Sequence, residues 1–533
     1  MVNRTLPLTL VPSSSKIFCC AVAALKWGDC CQQHQHSNST DDMYFKRMKT
    51  FWIGAALSGV LFLTLFSLRL GFFNKKATDQ FSLAISSDVS VPEKDTWKNI
   101  FQNGDKIGVA HSTLSKIPTG YQLAETLYLR INTMGMVQDI NLKTIGRLNP
   151  DFSLAEFDFK IKSGRFSFNV NGSVSGEVLT VRTNGAATGR QTEIPLEAKP
   201  YLLPAITAAM SATELKTGDQ YTFDIFDPAT MGQTPVIVDV IGMEDLQIAG
   251  EIQSATKVTL NFKGTSLLAW IGEHGDVLRE KGILGLQLEK TTRDEALRDL
   301  AEAPSADLTQ IASVASNVLL EDLDRLSALR VEINGIPIQS VQLNGGRQTV
   351  KANILTIEKE TTANLSTDIG EHNLQNLEKI FLKPGPFIQS DDQKIQALAQ
   401  EIAGNHAEPL DKVRMLVDWV YKNIDKRPVL SLPDALSTLE NRVGDCNEHA
   451  VLLAALARAA GIPCRVEAGL VYLKGRFYYH AWNLVYLGRW ITVDAVFNQI
   501  PADVSHIRLA TGSPNQQLDL MGVIGKLQLK VIK

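Results

Sequence analysis

The segment from Gly444 to Val496 constrains the fold more than any other part of the chain. It starts with "GDCNEHAVLLAALARAAG", whose apolar residues recur at helical spacing as far as Gly461. Two apolar runs on either side of Gly488 then indicate a pair of strands. Upstream, "EPLDKVRMLVDWVYKNI" (408–424) places its apolar side chains on one helical stripe. Helices followed by antiparallel strands predict an α+β domain.

Cys446 lies at the start of the longer predicted helix. Asp445 is a typical N-cap residue and Glu448 follows three positions later, so "DCNE" predicts a capping box. This places Cys446 in the first helical turn, where backbone N–H groups are unpaired and the helix dipole is positive. A thiolate is the nucleophilic form of cysteine, and we expect this position to stabilise it.

A cysteine nucleophile needs a base, and two histidines are candidates. His449 is close in sequence, whereas His480 lies on the first strand and Asp494 lies at the end of the second. An acidic residue that orients the imidazole would complete a triad, which favours His480 as the base and leaves His449 a structural role. Asp494 shares a face with His480 only if the two strands are joined by three residues or by a bulge near 486–489.

The motifs "GDCNEHAVLLAALARAAGIPCR", "YHAWNLVYLGRWITVDAV" and "WVYKNI" resemble a bacterial transglutaminase-like domain, a papain-related cysteine fold. The resemblance implies helices packed on an antiparallel sheet and a catalytic triad of Cys446, His480 and Asp494. The chain departs from the family pattern in carrying Leu484 where glutamate is frequent, and "DAV" where "DPT" is frequent. No zinc, calcium or phosphate-loop pattern occurs in this domain, so we expect no cofactor and no metal.

The sequence pattern before this domain predicts β structure. Residues 157–181 alternate apolar and polar side chains with Gly and Asn-Gly breaks, which predicts antiparallel hairpins, and a helix is expected near 200–212. Residues 292–303 have an amphipathic helical pattern. Asn334-Gly335 predicts a further hairpin in a small β module.

The N-terminal region carries a different signal. Phe51 to Leu68 contains no charged residue, and with the apolar residues up to position 73 it is long enough to cross a bilayer as a helix. Basic residues precede it, which favours a retained signal anchor with its N-terminus in the cytoplasm. "MYFKRMKTFWIGAALSG" looks like a complete anchor start, so translation is expected to begin at Met43 or Met48.

These observations predict seven segments. They are an N-terminal tail (1–50), a transmembrane anchor (51–73), a linker (74–95), a β-rich extracytoplasmic domain (96–304), a small β-containing connecting module (305–385), the transglutaminase-like domain (386–512) and a C-terminal extension (513–533). The predicted location is the inner membrane, with a single span and the C-terminal domains in the periplasm.

The net charge of −4 and the lack of a basic, aromatic-rich stripe give no reason to expect a nucleic-acid partner. Only Cys446 and Cys464 follow the predicted anchor, which excludes a disulfide-rich scaffold. The predicted function is cysteine-dependent acyl transfer, chiefly hydrolysis of peptide or amide bonds in protein or peptide substrates, including those of the cell envelope. Two alternatives stay open: protein cross-linking, and a non-catalytic scaffold with a vestigial papain-like domain.

Overall fold

The computed structural model describes residues 91–164, 166–183, 190–298, 306–363, 365, 380–429, 433–512 and 518–532. The predicted tail and transmembrane anchor, and most of the predicted linker, lie outside these residues. Within the described ranges, no helix combines the length and the apolar character that a membrane crossing requires.

The first half of the described chain forms one sheet of fifteen strands. Its neighbouring strands pair in the antiparallel sense, except that the short ninth strand pairs in parallel with the tenth. The strands are β1 (Lys94–Gln102), β2 (Asp105–Ile117), β3 (Gly120–Thr133), β4 (Met136–Leu148), β5 (Leu154–Ser163), β6 (Phe166–Ser175), β7 (Val178–Thr183), β8 (Arg190–Pro195), β9 (Pro200–Tyr201), β10 (Gln220–Asp227), β11 (Gly232–Ile248), β12 (Glu251–Phe262), β13 (Thr265–Gly272), β14 (Val277–Lys281) and β15 (Leu286–Thr291). Neighbours along the chain are neighbours in the sheet, except β8 and β9, which are its two edge strands, and β1 also pairs with β15. The predicted hairpins of residues 157–181 are confirmed as β5, β6 and β7.

This sheet curls around its own apolar face. Phe157 of β5 and Phe226 of β10 are far apart in the strand order, yet their rings lie 5.4 Å apart. The two edges are also close along the chain, because β8 ends at Pro195 and β9 begins at Pro200. Helix α1 (Leu203–Ser211), which confirms the helix expected near 200–212, buries five of its residues in the same core. The alternating pattern therefore produces a barrel-like body with a distinct interior.

Two sequence-based expectations differ from the structure. The amphipathic pattern at 292–303 gives only the four-residue helix α2 (Arg293–Ala296) within the described residues. Asn334-Gly335 does not form a hairpin, because the chain continues into a 3-10 turn at Ile338–Ser340. The strand that ends at Asn334 pairs instead with a later strand and with the C-terminal strand.

A four-stranded sheet joins two segments that are distant in sequence. Its strands are β17 (Ala328–Asn334), β18 (Gln348–Lys351), β19 (Ile354–Glu358) and β26 (Gln528–Ile532), in the order β18-β19-β17-β26. The predicted connecting module and the predicted C-terminal extension thus form one sheet. Its apolar face packs on the neighbouring five-stranded sheet, as shown by the shared core of Val331, Leu529 and Leu470.

The C-terminal domain has the predicted order of helices followed by strands. Its helices are α4 (Gln393–Ala403), α5 (Pro409–Asn423), α6 (Ala435–Asn441) and α7 (Cys446–Ala459), preceded by α3 (Leu308–Ala312). Its strands are β16 (Val314–Ala315), β20 (Asp425–Lys426), β21 (Val443–Gly444), β22 (Cys464–Leu473), β23 (Arg476–Tyr486), β24 (Trp490–Val493) and β25 (Ile507–Thr511). The five-stranded sheet has the order β16-β23-β22-β25, with β24 also paired to β23, whereas β20 and β21 pair with each other. The stripe predicted for residues 408–424 is confirmed, because the apolar face of α5 is buried against α7.

One edge of β23 is only partly covered. Strand β22 pairs along the whole of one edge. On the other edge, β16 pairs with residues 476–477 and β24 pairs with residues 483–486. Residues 478–482 of β23 therefore have no strand beside them on that edge within the described part of the chain, and we call this stretch the edge gap. The edge gap positions the candidate site.

Candidate active site

Cys446 is the first residue of α7, and the predicted capping box is confirmed. Asp445 Oδ1 accepts a hydrogen bond from the Asn447 N–H at 2.8 Å, and Glu448 Oε2 accepts one from the Asp445 N–H at 3.0 Å. The cysteine is half-buried. The backbone N–H of Ala481, which lies in the edge gap, favours the charged form of this sulfur and lowers the pKa of the thiol. The helix that begins with Cys446 packs against β23, the strand that carries His480.

The surroundings of Cys446 keep the sulfur protonated. Burial raises the pKa of the thiol well above its usual value, and the charges of Asp445, Glu448 and Asp494 raise that pKa further. The dipole at a helix N-terminus favours a negative charge by only about 0.3–1 kcal/mol, so it does not outweigh burial and three carboxylates. The expectation of a stabilised thiolate is therefore wrong, because the surroundings of Cys446 favour the neutral thiol.

His480 and Asp494 meet as the sequence analysis required. Tyr486 lies opposite Trp490, so three residues join β23 to β24, and the predicted three-residue connection is confirmed. This register places Asp494, just beyond β24, on the same face as His480. His480 Nε2 lies 2.6 Å from Asp494 Oδ2. His480 Nδ1 has no hydrogen bond within the described residues, so it is free to accept a proton.

The Asp494 carboxylate is fully buried and accepts four hydrogen bonds. Oδ1 accepts from the N–H groups of Val496 at 2.6 Å and Phe497 at 3.1 Å. Oδ2 pairs with His480 and, at 2.9 Å, with His506 Nε2. Burial opposes the charged form, but the two histidines outweigh it and hold the pKa of Asp494 far below its usual range. The carboxylate is therefore a fixed negative charge behind His480.

His506 is a component of this cluster that the sequence analysis missed. Its ring is completely buried, with Nε2 on Asp494 and Nδ1 3.3 Å from Asp503 Oδ1. Burial lowers the pKa of His506, but the two carboxylates raise it above its usual value. No motif marks this residue. A signal existed only in its position, since "DVSH" places an aspartate three residues before a histidine next to an apolar strand.

Aromatic side chains enclose the imidazole of His480. The ring of Phe497 lies 5.2 Å from it and the ring of Trp482 lies 6.1 Å from it, measured between centroids. Trp482 is almost wholly buried, and its Nε1–H donates to Glu467 Oε2 at 3.1 Å. The tryptophan therefore fixes the wall of the site and limits the movement of His480.

The other candidates near the site, His449 and Cys464, are both buried. His449 is buried, and its Nδ1 lies 2.7 Å from the Asp445 carbonyl oxygen, which keeps it within its own helix turn. Burial lowers the pKa of His449. Cys464 is fully buried, and burial raises the pKa of its thiol to about 12. These environments fit the predicted structural roles of both residues.

His480 and Asp494 are paired, and the helix that begins with Cys446 packs against the strand that carries His480. No direct hydrogen bond joins Cys446 to His480. Catalytic hydrogen bonds are often long in ligand-free sites and shorten when substrate binds. The only group of potential metal-ligand atoms found within the described residues is His480, Asp494 and His506, whose atoms lie within 4.8 Å of one another. Their mutual hydrogen bonds account for this proximity.

Residues 396–495 match the model of the transglutaminase-like superfamily, and this interval contains all three residues of the predicted triad. No curated protein matches the chain. Three solved structures have a partial likeness to the chain. One is a proposed cysteine protease from Cytophaga hutchinsonii, with 22% identity, a TM-score of 0.25 and coverage of 38% of this chain and 81% of that chain. The others are a β-barrel-like protein of a domain of unknown function from Brucella abortus (8% identity, TM-score 0.32, 38% of this chain and 98% of that chain) and the periplasmic domain of TgpA from Pseudomonas aeruginosa (18% identity, TM-score 0.22, 35% of this chain and 75% of that chain). Likenesses this distant carry no function from one protein to another.

Proposed function

We propose that this chain, which carries a transglutaminase-like domain at residues 396–495, is a cysteine enzyme that hydrolyses peptide or amide bonds through a thioester on Cys446. The observation that supports this most is that the helix beginning with Cys446 packs against the strand of His480, whose Nε2 lies 2.6 Å from the buried Asp494 carboxylate. A nucleophile, a base and an orienting carboxylate lie in the order that covalent catalysis needs.

The first step begins from the protonated thiol of Cys446, with the imidazole of His480 as the base. Because Asp494 accepts the proton on Nε2 of His480, the lone pair is on Nδ1. As the sulfur attacks the carbonyl carbon, the thiol proton moves to Nδ1 and the carbonyl π electrons move to the oxygen. In this mechanism, an unpaired backbone N–H in the first turn of α7 donates a hydrogen bond to this oxyanion. The imidazolium that forms is stabilised by the buried Asp494 charge.

The second step releases the amine. His480 donates its proton to the leaving nitrogen as the C–N bond breaks, which leaves a thioester on Cys446. A water molecule then attacks the thioester while His480 takes its proton, and the acid product and the free thiol are released. If an amine replaces water as the acceptor, the same intermediate gives a cross-link, which is the alternative outcome.

The location of this activity belongs to the same proposal. Residues 51–73 anchor the chain in the inner membrane, and the described domains lie in the periplasm. The uncharged run from Phe51 to Leu68, preceded by basic residues, supports this orientation. The substrates would then be proteins or peptides of the cell envelope.

The test is labelling of the full-length chain in lipid nanodiscs with a peptidyl acyloxymethyl ketone, followed by peptide mass spectrometry. We expect modification of Cys446, a rate at least 100-fold lower in His480→Ala, and no modification of Cys464, which serves as an internal control. Equal labelling in His480→Ala, or labelling only after denaturation, would contradict an enzyme and favour the scaffold alternative. Peptide substrates in ¹⁸O-labelled water, with and without an added amine, separate hydrolysis from cross-linking.

A further inference from the structure

The interior of the fifteen-stranded sheet contains a cavity of about 330 Å³ that is separate from the cysteine site. Leucine is the most frequent residue in its wall. The leucines that line it are Leu114, Leu123, Leu127, Leu203, Leu260, Leu267, Leu268, Leu286 and Leu288. The wall also contains charged side chains, which are unusual in a cavity inside a hydrophobic core.

Three polar residues of the wall, Thr96, Ser112 and Glu125, form a row across neighbouring strands, which Thr144 continues beyond the wall. Glu125 of β3 lies opposite Ser112 of β2 and opposite Thr144 of β4, and Ser112 lies opposite Thr96 of β1. We call these four residues the polar row. It crosses the inner face between two apolar clusters, one around α1 and one around Ile107 and Ile140. An uninterrupted apolar interior would be simpler to fold, so the polar row calls for another explanation.

Glu125 is the member of the row with unused binding capacity. The side chains of Lys98 and Glu280 form an ion pair with each other, and Lys94 Nζ donates to the Gly275 carbonyl oxygen at 2.8 Å and to Ser211 Oγ at 3.2 Å. Glu125 has neither a hydrogen-bond nor an ion-pair partner in the part of the chain that the structure describes. Burial raises its pKa to about 7, the nearby Glu280 adds to this shift, and Lys98 opposes it.

A ligand that fills this cavity must contact both the leucines and the carboxyl group of the wall. The leucines favour an apolar body, and the unpartnered carboxyl favours a cationic hydrogen-bond donor that restores its charge. Since one water takes about 30 Å³ of liquid, the cavity has room for roughly ten non-hydrogen atoms. We propose that the interior of this sheet is a binding site for a small amphiphilic amine, with its alkyl chain against the leucines and its ammonium group paired with Glu125.

The test compares octylamine, octanol and octanoate on the full-length chain in nanodiscs, with empty nanodiscs as the blank. All variants carry Cys446→Ala, so that an amine cannot act as an acyl acceptor at the cysteine. Isothermal titration should show saturable 1:1 binding of octylamine, weakened at least ten-fold by Glu125→Gln. Glu177→Gln, at an exposed position, is the matched control and should bind as the parent does. Equal octylamine affinity in Glu125→Gln, or octanoate binding as tightly as octylamine, would overturn the proposal.

A second measurement does not depend on the folding of a variant. Dicyclohexylcarbodiimide modifies protonated carboxyls in apolar surroundings, and mass spectrometry locates the modified residue. We expect Glu125 to be modified in the free chain and to be protected by octylamine but not by octanol. Absence of modification, or modification that octylamine does not slow, would refute an accessible, unpartnered carboxyl that binds amines.

Discussion

Replacement of Asp494 by asparagine tests the proposed mechanism most directly. The amide oxygen can still accept from the N–H groups of Val496 and Phe497, so the backbone turn is preserved. The amide NH₂ then faces His480 Nε2 and His506 Nε2, and both nitrogens must present lone pairs instead of protons. The His480 proton moves to Nδ1, which can no longer accept the thiol proton. A wrong tautomer of this kind costs about 10⁴-fold in rate.

The same change should also lower stability. It replaces two charge-assisted hydrogen bonds with neutral ones, and each charge-assisted bond contributes about 1.5–3 kcal/mol against about 1 kcal/mol for a neutral one. We therefore expect a loss of about 1–4 kcal/mol in the free energy of unfolding, by the same comparison. The assay is the rate of Cys446 acylation by the peptidyl probe, with urea unfolding measured in parallel.

Asp503→Asn is the matched control for this variant. Asp503 contacts His506 but not His480, so its replacement perturbs the outer part of the cluster and leaves the His480–Asp494 pair in place. We expect its acylation rate to stay within ten-fold of the parent rate. Parental acylation by a folded Asp494→Asn chain would refute the assignment of Asp494 as the group that sets the tautomer of His480.

Three further predictions concern groups around this pair. Because the pKa of His506 is raised, its stabilising effect is present below pH 6.5 and is lost as the pH rises through its folded pKa, so His506→Asn should destabilise the chain more at pH 6 than at pH 9.5 in urea unfolding. An equal loss of stability at both pH values would contradict the charged pairing with Asp494. Because the pKa of the Cys446 thiol is raised, its alkylation by iodoacetamide should accelerate continuously from pH 7 to pH 10, and a plateau below pH 8 would instead indicate a resting thiolate. In Gly444→Ala the new Cβ would lie 2.3 Å from Glu448 Cβ, so we expect loss of the capping box, a decrease of about 1 kcal/mol in the free energy of unfolding and slower acylation of Cys446. Unchanged thermal stability of this variant would refute the prediction.

Much of the site could be predicted because its signals are local. The N-cap and capping box around Cys446 depend on residues within three positions of one another. The relation of His480 to Asp494 depends on one hairpin, and the chemistry required a three-residue connection that the register confirms. His506 could not be found in the same way. It reaches Asp494 through the packing of a segment that has no motif.

The direction of the Cys446 pKa shift also escaped prediction, for a related reason. The sequence shows a helix start, which favours the thiolate. It does not show how deeply that helix start is buried, nor that Asp494 approaches it from another strand. In the β-rich region, alternation predicted the strands but did not distinguish Glu125, which faces the cavity, from outward-facing polar residues on the same strands.

The sequence by itself determined the elements whose causes lie within a few residues: the amphipathic helices, the capped start of α7, the alternating strands and the hairpin that aligns His480 with Asp494. The tertiary structure alone decided the pairing of β17 with β26, the edge gap in β23, the second histidine on Asp494 and the polar row inside the large sheet. The physical reason is range. Capping and periodicity act between chain neighbours, whereas burial, charge coupling and strand order depend on residues that only the folded chain brings together.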